Sequence, residues 1–302
     1  GNGGGSFPLG LTIDEERNIL YAANEESDNV TLIDAGTNEV LTAVDVGEEP
    51  QDLAFNPNTK KLYVTNLQSD YVSVINIRLN KVVKKIRTRG EGPSGIAINP
   101  VTNKIYVTNL HTGDVAVIDG KTDRVITNIK VGMGPVDVAV NSITNKIYVT
   151  NMMESTVSVI SGETDRVNET IKVGLDCMGI AVNSVTNRIY VCNPAELIDN
   201  VMVINGDTDV VIDRISITDH CFFTAVNEET NMVYITNPFS LRIDVVDGNT
   251  NIRVETIDPT GDGTTGVAVN SKTNMVYVAN RDSHTIDVLN GFTNTIVHTI
   301  KL

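Results

Sequence analysis

Apolar residues in this chain occur in short β-branched runs, each closed by Gly, Asn, Asp or Thr. That pattern predicts strands joined by tight turns. One stretch shows the order plainly. Ile96 to Asn99 predicts a first strand, A. Pro100 to Asn103 has turn composition. Lys104 to Thr108 predicts strand B, Asn109 to Gly113 a loop, and Asp114 to Asp119 strand C. A second turn, Gly120 to Asp123, leads to strand D from Arg124 to Val131, and Gly132 ends it. Strands B and C are apolar on both faces, as in Ile105-Tyr106-Val107, so their sheet is covered on both sides. Strand D alternates with polar residues (Val125-Ile126-Thr127-Asn128), which suits an outer, partly solvated position.

The same order returns along the chain. Tyr21, Tyr63, Tyr106, Tyr148, Tyr190, Tyr234 and Tyr277 are spaced 42, 43, 42, 42, 44 and 43 residues apart. A period of this length marks a repeat architecture. Four antiparallel strands per unit, covered on both faces, describe a propeller blade. The expected fold is all-β: a seven-bladed β-propeller of four-stranded antiparallel blades. The blades fall at about 7–47, 48–90, 91–132, 133–174, 175–217, 218–260 and 261–302. Residues 1–6 (GNGGGS) read as a flexible linker or cloning remnant. Each blade is one contiguous repeat. Closure therefore rests on blade 1 packing against blade 7, with Pro8 to Ile13 innermost in blade 1 and Thr295 to Ile300 outermost in blade 7.

Lys104 to Asn109 (KIYVTN) recurs as Lys146 to Asn151, and as Arg188 to Asn193 with Cys192 in place of Thr. With the preceding Pro-x-Gly-Ile-Ala-Val-Asn frame, this text resembles the YVTN-repeat family of β-propellers over nearly the whole chain from Pro8. The resemblance implies kinship with propeller domains of archaeal surface-layer proteins and with secreted bacterial propellers. Its motif is structural, so it implies no catalytic residue.

The repeated residues have structural uses. Pro50, Pro93 and Pro135 precede strand A, where no ladder donor is needed. Gly47, Gly90 and Gly132 permit the turn back toward the axis. Ala54, Ala97, Ala139, Ala181, Ala225 and Ala268 keep the innermost strand narrow. Asn24, Asn66, Asn109, Asn151, Asn193, Asn237 and Asn280 follow strand B and are expected to bond their own loops.

Function is sought where the copies differ. The D-to-A and B-to-C loops share one face, called the top. There, in blades 5 and 6, Cys177 and Cys221 replace the proline. Asp176 and His220 precede them, and Met178, Phe222 and Phe223 follow. The loops from Asn193 to Leu197 and Asn237 to Leu241 bring Glu196 and Phe239 to the same region. These residues predict an apolar patch for a ligand or partner. A plugged channel mouth or a surface for a neighbouring domain is the structural alternative.

Charge narrows the partners. Against 23 Lys plus Arg stand 38 Asp plus Glu, a net charge of -15. That disfavours nucleic acid and anionic membranes. No apolar run reaches the ~18 residues of a membrane span. A basic run on strand D of blade 2 (Arg78, Lys81, Lys84, Lys85, Arg87, Arg89) reads as edge protection. His111, His220, His284 and His298 are too scattered for a multinuclear metal site, and no cofactor or metal is expected. Asp52 and Asp137, each two residues after a proline, read as solvated acids more readily than as cation ligands. The three cysteines lack CxxC spacing and are expected to be free and packed as small apolar groups.

The expected function is a non-catalytic extracellular or cell-surface module, structural or protein-binding. The alternative is a lactonase- or lyase-like enzyme using His220, Asp176 and Glu196 at the channel mouth.

Overall fold

Each predicted unit is one sheet. The computed structural model describes residues 5–195, 200–217 and 220–302, and in it 28 strands form seven four-stranded antiparallel sheets. Strands follow chain order within every sheet. Blade 1 comprises Pro8–Asp14, Ile19–Asn24, Asn29–Asp34 and Glu39–Asp45, and blade 7 runs from Thr264–Asn270 to Thr295–Lys301. The only helix among the described residues is a single 3-10 turn, Met152–Glu154. No described helix is long and apolar enough to cross a membrane.

The YVTN text has one job per residue. All seven repeat tyrosines are buried, and each packs between two blades. Tyr63, for example, lies with Ile105 and Val107 of the next blade. Its hydroxyl donates to Asp123 Oδ1 at 2.6 Å, and Lys61 Nζ reaches the same carboxylate. Lys104 and Lys146 repeat the pairing with Asp165 and Asp209.

The threonine joins blades at the centre. Strand A carries a bulge just after its proline, which leaves a main-chain N–H without a ladder partner. The hydroxyls of Thr65, Thr108 and Thr150 accept those N–H groups from Asp52, Gly95 and Asp137. The same hydroxyls donate to carbonyls of the following blade, as in Thr108 to Val136 at 3.1 Å.

The asparagine after strand B is buried and bonds its own loop, as expected. Asn66 Nδ2 donates to the Tyr71 carbonyl at 2.9 Å and to Ser73 Oγ at 3.0 Å. A second asparagine series was not anticipated. At the bottom of the propeller, Asn56, Asn99, Asn141, Asn183, Asn227 and Asn270 each donate to an asparagine of the next blade at 2.7–2.9 Å. The acceptors, from Asn18 to Asn274, hold positive φ, which asparagine tolerates better than most side chains. The ladder stops at the junction of blades 1 and 2, where Asp14 and Lys60 hold the two places and Lys60 pairs with Glu16.

Closure follows the same pattern. No strand is shared between the chain ends. Leu11, Leu20 and Ile33 of blade 1 pack on Ala268, Tyr277 and Ile286 of blade 7. Side-chain bonds cross this junction too: the Phe7 N–H donates to His284 Nδ1, and Asn270 reaches Asn18. The Ser6 N–H donates to Ser27 Oγ, and Gly5 lies against Asn24 as Gly47 lies against Asn66. Gly5 and Ser6 thus sit within the blade 1 frame, while residues 1–4 lie outside the described ones.

Candidate functional site

Replacing proline by cysteine changes the geometry of blades 5 and 6. Strand A spans seven residues in the other blades, but only Ile180–Asn183 and Phe223–Asn227 here. Each cysteine is drawn under the neighbouring loop. Cys177 Sγ donates to the Thr156 carbonyl at 3.4 Å, and Cys221 Sγ to that of Asn200 at 3.2 Å. The residues beside them are freed to line a cleft on the top face.

That cleft has a volume of about 690 Å³. Blade 4 contributes Met152 to its lining, blade 5 Asp176, Met178, Pro194 and Ala195, and blade 6 His220, Phe222 and Phe239. Phe222 and Phe239 meet edge to face at 5.3 Å between ring centroids, and His220 meets Phe239 at 5.9 Å. Such pairs add to the burial of their rings. His220 Nδ1 is bonded to the Pro194 carbonyl. The N–H groups of Phe239 and Ser240 donate to Asn237 Oδ1, which fixes the loop so that Phe239 stands 71 % exposed.

The predicted patch is therefore partly assembled. Asp176, Met178, His220, Phe222 and Phe239 come together. Cys177 and Cys221 are fully buried and belong to the core. Phe223 lines the axial cavity instead. Glu196 lies outside the described residues.

The cysteines are free. Cys192 ends strand B of blade 5. Its main chain pairs with Met178 and Gly179. Its thiol, however, packs with Cys221 of blade 6, because the motif threonine it replaces points to the following blade. Burial pushes the Cys177 thiol up to about 12 and raises Cys192 well above the usual value, with Cys221 adding to the latter.

A second concavity lies on the axis, with a volume of about 330 Å³. One frame position of strand A lines it in every blade: Gly10, Asp52, Gly95, Asp137, Gly179, Phe223 and Gly266. Asp52 Oδ2 accepts the Ile96 N–H of blade 3 at 3.1 Å, and Asp137 Oδ2 the Ile180 N–H of blade 5 at 3.0 Å. The reading of these two as ordinary solvated acids is corrected. Burial raises both above the usual carboxylate range, and the charge of Asp137 raises Asp52 further. The N–H bonds oppose this without cancelling it. The glycines are required by contact: a Cβ on Gly95 would sit 2.7 Å from Asp137 Cα, and one on Gly266 would sit 2.0 Å from the Leu9 carbonyl oxygen.

His111, His284 and His298 belong to separate loops and strands, and His284 is engaged with Phe7. Among the described residues, no group of three or more His, Cys, Asp or Glu side chains comes together as a metal site. The basic run lies on the outermost strand of blade 2, Lys81–Arg87, and its flanks, where Lys85 covers the Tyr71 ring.

No curated protein matches the sequence. Among solved structures, hydrazine synthase of Kuenenia stuttgartiensis is similar, with a TM-score of 0.86 and 22 % identity. The similarity covers 94 % of this chain and 95 % of that one, and at this identity it concerns the fold. The model of the YNCE-like beta-propeller family matches residues 2–269, and the chain belongs to that family.

Proposed function

We propose that this propeller is a non-catalytic binding module that holds an apolar group of a protein partner in the top-face cleft. The observation that carries this reading is the exposed Phe239, held beside Phe222 and His220 over an open apolar cleft. An apolar concavity with few polar groups is a common form of binding site. Several polar atoms nearby are engaged: His220 Nδ1 bonds the Pro194 carbonyl, and the Cys177 and Cys221 sulfurs bond loop carbonyls. The module acts outside the cell or at its surface, a placement supported by the resemblance of its repeats to surface-layer and secreted YVTN propellers.

Nile red, a neutral dye that fluoresces in apolar sites, tests the cleft. Its emission should rise on binding and fall by more than half in Phe239→Ser or Met178→Ser. Unchanged emission in both variants would remove the cleft as the site. Protease shaving of intact source cells tests the surface placement; protection of the chain there would count against it.

A second reading is favoured by one observation: two carboxylates of raised pKa face the axial cavity. That is the setting of acid–base chemistry, such as lactone opening or elimination. Both groups also accept N–H bonds across blade junctions, which gives them a structural use. Lactone turnover abolished by Asp52→Asn and Asp137→Asn would favour the enzyme.

A further inference from the structure

The top face is acidic. Its connections between strands carry twelve carboxylates among the described residues, against two basic side chains, Arg89 and Arg281. The bottom turns carry nine and five. Ten of the twelve lie over blades 7, 1, 2 and 3, and Glu154 and Asp176 are the two described over blades 4 to 6, where the sequence adds Glu196, Asp199 and Asp219 outside the described residues. The apolar groups show the opposite distribution. The large hydrophobic side chains exposed on top-face connections are Met133, Met153, Leu175 and Phe239, all in blades 4 to 6. The exposed apolar side chains thus gather around the cleft, and the described carboxylates form an acidic crescent over blades 7, 1, 2 and 3.

The two basic residues are too few to balance these carboxylates: Arg281 is spent on Glu25 at 3.0 Å and on the Phe7 ring at 4.9 Å, and Arg89 stands exposed in the same loop as Glu91. Glu26, Glu48 and Glu91 stand exposed on neighbouring blades 1, 2 and 3. Acidic partners, nucleic acid and anionic lipid would be repelled from this crescent. A cationic chain would be steered to it.

We propose that the top face accepts a basic polypeptide segment carrying one aromatic or aliphatic anchor. The anchor enters the cleft beside Phe222 and Phe239, and the Lys or Arg residues lie along the crescent of blades 1 to 3. This rests on the reading of the cleft as a binding site, and it adds the class of partner. The anchor supplies most of the affinity, because the rim charges remain hydrated. The charges supply rate and discrimination, and their contribution is lost in salt.

The test is fluorescence anisotropy with a labelled synthetic peptide, a phenylalanine followed by a run of lysines. Comparison peptides replace the lysines by glutamate or the phenylalanine by serine. Expected at low salt is binding of the basic anchored peptide alone. Phe239→Ala should weaken it about tenfold, and so should the combined Glu26→Lys, Glu48→Lys, Glu91→Lys variant. High salt should weaken wild-type binding and have little effect on the charge-reversed protein. Equal binding of the glutamate peptide, or unchanged affinity in the charge-reversed protein, would overturn the proposal. Nile red separates the two levels. If the dye fills the cleft and no basic peptide binds or displaces it, this inference fails while the binding-module reading stands. If dye emission is indifferent to both Phe239→Ser and Met178→Ser, both fail.

Discussion

The Thr265 hydroxyl of blade 7 donates to the Pro8 carbonyl of blade 1 at 2.9 Å. Its partners are the first and last strands A of the ring. In blades 2, 3, 4 and 6 the motif threonine of strand B makes this inter-blade bond, as Thr236 does to the Thr265 carbonyl. At the closing junction strand B offers Ala279, which has no hydroxyl, and Thr265 takes over from strand A. Thr265→Val should therefore cost about 1–3 kcal/mol, the loss expected when a buried acceptor is stripped of its donor. Urea unfolding checks this, with Thr265→Ser expected to stay close to wild type.

The bottom asparagine ladder is interrupted at Asp14 and Lys60. Lys60 holds φ 55°, a conformation that suits asparagine better than lysine. Asp14 Oδ2 is buried without a partner. The double variant Asp14→Asn, Lys60→Asn should complete the ladder and add about 1 kcal/mol. The lost Lys60–Glu16 pair is exposed and worth little. A melting temperature raised by about 2–4 °C is expected, and a lowered one would show that the ladder does not extend.

Asp52 and Asp137 make stability depend on pH. Their values rise from 3.8 to about 7 and about 6, through burial first and then, for Asp52, the charge of Asp137. Between the unfolded and folded values, the folded chain holds protons that the unfolded chain has lost. Their stabilising contribution is full below about 3.8 and is lost as pH rises through 6 to 7. Asp52→Asn removes the titration and keeps one oxygen, for either the Ile96 or the Leu53 N–H, so it gives up one of these two bonds at every pH. Its melting temperature relative to wild type should therefore be higher at pH 8 than at pH 4, by differential scanning calorimetry.

The three thiols should be silent in the folded protein. All are buried, and the elevated Cys177 and Cys192 hold little thiolate at neutral pH. A disulfide reagent should find no reactive group in native protein and three after denaturation. One equivalent after denaturation without reductant would mean that Cys192 and Cys221, neighbours across blades 5 and 6, had been oxidised to a bridge.

Strand order, blade number and phase were legible because the tyrosine period repeats and each strand ends in turn residues. The inter-blade asparagine ladder was not, since one asparagine looks like another until blades are placed side by side. Its signal was present: paired asparagines recur at 46–48 residues, slightly more than one repeat. Asp52 and Asp137 were seen but misjudged, because sequence shows a carboxylate and not its burial. Of the predicted patch, Met178, His220, Phe222 and Phe239 line the cleft, whereas Phe223, one residue further along an innermost strand, turns to the axial cavity. The reach of the Cys192 side chain to the next blade emerges only once the threonine clasps are seen.

The central claim is that a ligand enters the cleft of blades 4 to 6. The chain has seven methionines, and their placement suits methyl NMR of protein labelled at the methionine methyls. Met152 and Met178 line the cleft, Met133 and Met153 stand exposed near it, and Met232 and Met275 begin strand B at the bottom of blades 6 and 7. Titration with the phenylalanine–lysine peptide should move the Met152 and Met178 signals to saturation and leave Met232 and Met275 in place. Shifts confined to Met232 and Met275, or unmoved Met152 and Met178 signals with peptide bound, would contradict it.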